Sequence, residues 1–179
     1  FIFLISLKVQ DSFTQNLSLF LLFPFVVIFV FNFPFAKVFS GDSGAYVMGL
    51  SVGITSILIS ENNSLVNPFC SFLIIIYPLY ECIRSFFRRI ITKRRIDYPD
   101  NHHFHSMVYQ LLQQRLRKKF ANPLSSVLVL FLPLSSSTWA YLNFNNQNRL
   151  IFGIIVFLIF YELIALLVSK GLKKGLLTS

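Results

Sequence analysis

The sequence predicts an all-α protein: a polytopic transmembrane helical bundle of five complete spans plus a partial N-terminal one, with a cytoplasmic amphipathic helix. Three observations predict it. Hydrophobic residues make up 55% of the 179, Phe alone numbers 22, and charged residues are only 13%, where a soluble domain carries roughly 25%. Apolar runs recur along the chain, and about 20 residues of helix cross the hydrocarbon core of a bilayer. Short polar or basic segments separate those runs.

Residues 1–7 (FIFLISL) are too short for a span and lack the basic start of a signal peptide. They read as the tail of a helix. Residues 8–16 form a polar turn, and residues 17–35 the first complete span, with Pro24 and Pro34 as kink positions that neighbouring helices must re-satisfy. The second span, residues 45–60, is rich in small residues. Its Gly49 and Gly53 form a G-x-x-x-G step, which suits either ordinary small-residue packing or a close homodimer face.

Residues 61–64 make a polar turn, and residues 66–83 the third span, with Pro68 and Pro78. A basic loop occupies residues 84–121. The fourth span covers residues 123–144, with Trp139 and Tyr141 near its far end as an interfacial aromatic belt. Residues 145–149 turn the chain into the fifth span, residues 150–168, and Lys170, Lys173 and Lys174 follow it. The whole, residues 1–179, reads as a single membrane domain with residues 84–121 as its cytoplasmic loop.

Alternating spans sort the basic residues sharply. Lys8 and Arg149 fall on one side; the other fourteen Lys and Arg fall on the opposite side. Cytoplasmic loops carry the excess of Lys and Arg, so the crowded side is cytoplasmic, and Asp42 and all three histidines share it. The net charge of +9 then points to anionic lipid head groups and phosphorylated substrates rather than nucleic acid. Cys70 and Cys82 lie in one apolar run, roughly 18 Å apart at the helical rise, and form no disulfide within it.

Within the basic loop, Phe104, Met107, Val108, Leu111, Leu112 and Leu116 recur at helical spacing. That predicts an amphipathic helix over residues 104–120, lying in the head-group plane. Pro99 biases the residue before it away from helix, so the His102-His103-Phe104-His105 segment enters that helix from an extended stretch.

Few side chains can carry chemistry. Asp42 sits between Gly41 and Gly44 at the mouth of a span. It reads either as a helix N-cap or as a ligand for Mg²⁺ bridged to phosphate. His103 and His105 lack the partners a four-ligand zinc site wants; beside many arginines they suit hydrogen bonding to phosphate or proton transfer, or simply a solvated loop. Glu162 is ionisable within a span and so a functional candidate, while Glu81 and Arg84 have the spacing of an i, i+3 pair on one helix.

Taken together, the two stations resemble the polyprenyl-phosphate N-acetylhexosamine-1-phosphate transferases. Gly41, Asp42, Gly44 and Gly49 are similar to that family's G-D-x-G segment. Pro99, Asp100, His103 and His105 are similar to its histidine-rich cytoplasmic loop. The resemblance implies transfer of a sugar-1-phosphate from a UDP-sugar to a polyprenyl (undecaprenyl) phosphate at the cytoplasmic face, with Mg²⁺ and release of UMP. It implies that Asp42 belongs to the catalytic and metal centre and that His103 and His105 bind substrate phosphates, with Gly41, Gly44 and Asp100 in support.

Asn101, Ser106 and Ala45 depart from the residues usual in that family and leave the sugar open. The family's adjacent aspartate pair is missing, since no two acidic residues are neighbours here. The expectation is therefore a C-terminal portion of the family fold, inactive by itself. The competing readings are a non-catalytic multispan membrane subunit and a piece of a transporter.

Overall fold

The computed structural model describes residues 1–34, 37–38, 41–92 and 103–176, the last four by backbone alone. Every regular element among them is a helix: α1 (Ile2–Val9), α2 (Ser12–Asn32), α3 (Gly41–Glu61), α4 (Pro68–Ile91), α5 (Phe104–Gln113), α6 (Lys118–Leu142) and α7 (Gln147–Leu176). Five of these, α2, α3, α4, α6 and α7 through Leu172, are long and apolar enough to cross a membrane. The polytopic all-α expectation holds, with short α1 ahead of the five spans and short α5 between α4 and α6.

The helices overrun the predicted spans because apolar runs end where water begins, whereas a helix ends only where its backbone bonds can be satisfied otherwise. α4 continues past the apolar run through Arg84, Arg88 and Arg89 to Ile91, and α6 begins at Lys118, ahead of Pro123. Arg and Lys are good helix formers, so nothing in those basic stretches stops the ladder. Pro24, Pro78 and Pro133 lie inside helices, as is tolerated where neighbours re-satisfy the freed groups. The predicted turn over residues 8–16 is mostly helical instead. α1 runs to Val9, and Asp11 caps α2 by accepting from the Thr14 amide at 3.0 Å.

The chain divides into two compact units, Phe1–Ile75 with Ser135–Ile154 and Ile76–Leu134 with Ile155–Ser179. In the first, α1, α2 and α3 pack on one another. Ile5, Ile59, Val66, Cys70, Leu73, Ala140 and Leu150 are buried, together with the hydroxyls Ser6, Thr14, Ser56 and Ser71. Those hydroxyls find partners within helices and between them. Ser6 donates to Phe3 O at 2.8 Å, and Ser71 bonds both Ser60 and the Ser56 carbonyl.

Three polar turns meet in this unit. Asn63 donates to Val9 O at 3.0 Å, the Asn67 amide donates to Phe144 O at 2.9 Å, and Lys8 Nζ sits 4.0 Å from the Tyr141 ring centroid. The turns after α1, α3 and α6 thus come to one end, as alternating spans require. Trp139 anchors the same neighbourhood by donating from Nε1 to Arg149 O at 2.8 Å. Gly153 makes room for that indole: a Cβ there would stand 2.5 Å from Trp139 Cδ1.

The second unit is built from the C-terminal part of α4, α5, the first part of α6 and the last part of α7. Its buried residues are Ile76, Phe104, Met107, Val108, Ala121, Leu132, Phe157, Tyr161 and Ala165. The amphipathic segment is shorter than predicted. α5 stops at Gln113, and Leu116 lies in the connection to α6. Its apolar face also has a different neighbour. Phe104 packs on Tyr161 at 5.4 Å between ring centroids, and Leu111 lies close over Gly171. The stripe that suggested a helix floating among head groups is covered by α7, because an apolar face buries wherever a neighbouring helix offers itself.

Candidate functional site

The histidine segment is held at the start of α5. His103 is the residue before the helix, with extended angles (φ −63°, ψ 148°), and His105 lies in its first turn. That change of backbone brings the two rings face to face, with centroids 5.7 Å apart and planes within 9°. Asp97, Asp100 and His102 lie outside the described residues.

What holds the segment is Glu81, from α4. Its side chain is 8% exposed at the residue level, and a carboxylate there persists only if it is hydrogen-bonded. Three donors converge on it. The Phe104 amide lies 3.3 Å from both carboxylate oxygens, His103 Nδ1 is 3.1 Å from Oε2, and the Tyr161 hydroxyl donates to Oε1. Glu81 therefore caps α5 from another helix, satisfying an orphan amide where a negative charge is favoured.

Tyr161, from α7, is fully buried. Its ring meets Tyr80 edge-on at 5.0 Å, with Phe104, Phe157 and Tyr77 also around it and the Arg84 guanidinium 5.7 Å from its centroid. One turn beyond Glu81, Arg84 turns away from it. Arg84 Nε donates to Glu162 Oε1 at 2.9 Å, and the Tyr80 hydroxyl donates to the same oxygen at 2.8 Å. The i, i+3 pairing expected of Glu81 and Arg84 is thus replaced by two separate pairings, each reaching another helix. Glu162, the intramembrane acid of the sequence, is the counter-ion of Arg84.

His105 is exposed beside an open groove of about 340 Å³ lined by Ser106, Tyr109, Asn122, Ser125, Ser126 and Val129. Hydroxyls and one amide punctuate that lining, with no charge. Partial desolvation, then the adjacent His103 ring, hold the His105 pKa below the ordinary imidazole value, with Glu81 opposing. The neutral form of His105 is favoured as a result.

Asp42 belongs to the other unit. It is exposed in the first turn of α3, where a carboxylate complements the helix dipole. Gly41, immediately before it, has φ +65°, a backbone state that any L side chain would strain. Among the described residues no three His, Cys, Asp or Glu side chains gather as a metal cluster.

Residues 1–60 match the profile described as glycosyl transferase family 4. That match includes Gly41-Asp42-Ser43-Gly44 and ends before the histidines. The chain is similar to the polyprenyl-phosphate sugar-1-phosphate transferases. It is 33% identical over 76 residues to the probable undecaprenyl-phosphate N-acetylglucosaminyl 1-phosphate transferase of Bacillus subtilis (strain 168). It is also 33% identical over 86 residues to the undecaprenyl-phosphate alpha-N-acetylglucosaminyl 1-phosphate transferase of Thermotoga maritima. Those alignments cover 42% and 48% of this chain but only 21% and 28% of the two relatives. No solved structure matches the chain.

Sequence reasoning singled out His103 and His105 but not Glu81 and Tyr161, which the structure places against them. An acid at the end of an apolar run was the available signal. Its partner, a tyrosine 80 residues away, carries no pattern of its own.

Proposed function

We propose that this chain is part of a membrane enzyme that transfers a sugar-1-phosphate from a UDP-sugar to undecaprenyl or a related polyprenyl phosphate at the cytoplasmic face. The observation that carries the reading is the His103–His105 pair, held in fixed register at the start of α5 by Glu81. The similarity to proteins named as undecaprenyl-phosphate N-acetylglucosaminyl 1-phosphate transferases supports the transfer of a sugar-1-phosphate to such a lipid, and the concentration of Lys and Arg on one predicted side supports the cytoplasmic assignment.

In the proposed reaction an oxygen of the polyprenyl phosphate attacks the sugar-bearing phosphorus of the UDP-sugar. The bridging P–O bond breaks and UMP leaves. Two anions must approach each other, so catalysis rests on positioning and on charge neutralisation. His103 and His105 bind phosphate oxygens. The uncharged groove beside His105, with its hydroxyls and amide, suits the sugar's hydroxyl-rich body.

Asp42 is the proposed metal and catalytic residue, and the donor present fits Mg²⁺. It is a hard, exposed oxygen ligand, and Mg²⁺ is commonly held by one or two carboxylates while water and substrate phosphates complete its shell. When bound, the ion supplies charge neutralisation for phosphoryl transfer. Gly41, at its positive φ, sets the direction in which the chain delivers Asp42.

Turnover of UDP-N-acetylglucosamine with undecaprenyl phosphate, followed as lipid-linked radiolabel with the full-length protein in proteoliposomes, tests the reading. Asp42→Asn and His103→Ala are each expected to lower turnover at least 100-fold. Full activity in both variants, with Mg²⁺ still required, would move the reaction centre elsewhere.

A further inference from the structure

Glu81 does more than close the end of α5. A cap needs only the Phe104 amide, and that bond is made. The same carboxylate also takes His103 Nδ1 at 3.1 Å and the Tyr161 hydroxyl. Tyr161 has no freedom of its own, being fully buried with Tyr77, Tyr80, Phe104 and Phe157 around its ring. A fixed tyrosine orients the carboxylate, and the oriented carboxylate orients the imidazole.

We propose that Glu81, held by Tyr161, is a positioning residue for His103, tying Nδ1 to the carboxylate and presenting Nε2 to a substrate phosphate. The proposal rests on the reading of His103 as a phosphate-binding residue. A histidine ring nitrogen that donates to a carboxylate settles which tautomer is present and where the other nitrogen points. With Nδ1 engaged, a neutral His103 offers a lone pair at Nε2. Once protonated it offers an Nε2–H donor whose charge the carboxylate supports, as in other carboxylate–histidine pairs. The parallel His105 ring limits rotation about the side chain.

Among the described residues, the charged and titratable groups around this arrangement include Tyr77, Tyr80, Glu81 and Arg84 on α4, His105 on α5, and Tyr161 and Glu162 on α7. Arg84 is committed to Glu162 at 2.9 Å. That leaves Glu81 as the carboxylate available to the imidazole among the described residues.

The test is ¹⁵N spectroscopy of histidine-labelled full-length protein in lipid nanodiscs, at a pH where the imidazoles are neutral, with the His103 signal assigned by its loss in His103→Asn. In the native protein His103 is expected as the Nδ1–H tautomer, and at a lower pH, where the ring is protonated, its Nε2–H resonance is expected to shift on adding UDP-N-acetylglucosamine. In Glu81→Gln, whose side-chain oxygen still accepts from the Phe104 amide, His103 is expected to become a mixture of tautomers. Turnover should fall about 10- to 100-fold, the usual effect of removing such a supporting partner, and Glu81→Asp should restore part of it.

Tyr161→Phe, which keeps the buried ring and deletes the hydroxyl, should shift the His103 signal in the same direction. It serves as the second probe if Glu81→Gln does not fold. An unchanged His103 tautomer in Glu81→Gln or Tyr161→Phe overturns the positioning role. A locked tautomer whose Nε2 ignores the nucleotide sugar overturns instead the phosphate role, and the two failures are read from different signals.

Discussion

Arg84 on α4 and Glu162 on α7 form an ion pair at 2.9 Å across 78 positions of sequence. Both lie in helices capable of crossing the membrane, where an ionisable group is costly without a partner. The Tyr80 hydroxyl on the same Glu162 oxygen shares the load. A double-mutant cycle with Arg84→Met and Glu162→Gln, read by unfolding in mixed micelles, is expected to give a coupling of about 1 kcal/mol. That is the order measured for interhelical polar contacts in membranes. Additive single effects would show that the pair contributes nothing to folding.

Gly153 is a packing requirement. Its substitution by Ala would place a Cβ 2.5 Å from Trp139 Cδ1 and 3.3 Å from Leu73 Cδ2. The indole would have to move and surrender its bond to Arg149 O. A loss of about 1–3 kcal/mol follows, as for other overpacked sites, measured as a fall in Tm that Trp139→Phe should partly relieve.

Gly49 and Gly53 behave oppositely, because an added Cβ at either meets nothing within 4 Å. Gly49→Ala and Gly53→Ala are expected to leave the Tm unchanged or slightly raised, since Ala is the better helix former by about 0.5–1 kcal/mol. A marked loss of stability in these variants, with a change of oligomeric state in chemical crosslinking, would instead reveal a second copy seated on this step.

His105 should make stability depend on pH. Its folded pKa lies below the ordinary value, so as pH falls the unfolded chain takes up the proton first. Stability is therefore lost as pH drops from the unfolded value towards the folded one, and levels off below it. The difference in Tm between the native protein and His105→Asn, followed from pH 8 to pH 5, should shift against the native protein across that window.

Asp11→Ala removes the cap of α2, where the carboxylate accepts from both the Thr14 amide and its hydroxyl. The expected cost is about 1 kcal/mol. Thermal unfolding checks it, and Asp11→Asn should recover most of the loss.

Much of the bundle was legible in the composition and runs. The five spans emerged because a bilayer imposes one length on every helix that crosses it, and apolar runs record that length directly. Helix ends were less legible. Arg88, Arg89 and Lys118 look like loop residues by polarity, yet they extend α4 and α6, since a basic side chain is no obstacle to helical hydrogen bonding. Asp42 and the histidines were legible as stations. Glu81 was misassigned to Arg84 because i, i+3 spacing is visible along a chain, whereas a partner on another helix is not.

The sequence by itself determined that this protein is a multispan membrane bundle, which segments are polar, and that its motifs resemble those of polyprenyl-phosphate sugar-1-phosphate transferases. Those properties depend on residue type and on spacing within single helices. Only the tertiary structure decided that Glu81 gathers His103, Phe104 and Tyr161, that Arg84 belongs to Glu162, and that α5 rests its apolar face on α7. Such pairings arise when a buried charge must find donors wherever packing brings them, and distance along the chain leaves no trace of that choice.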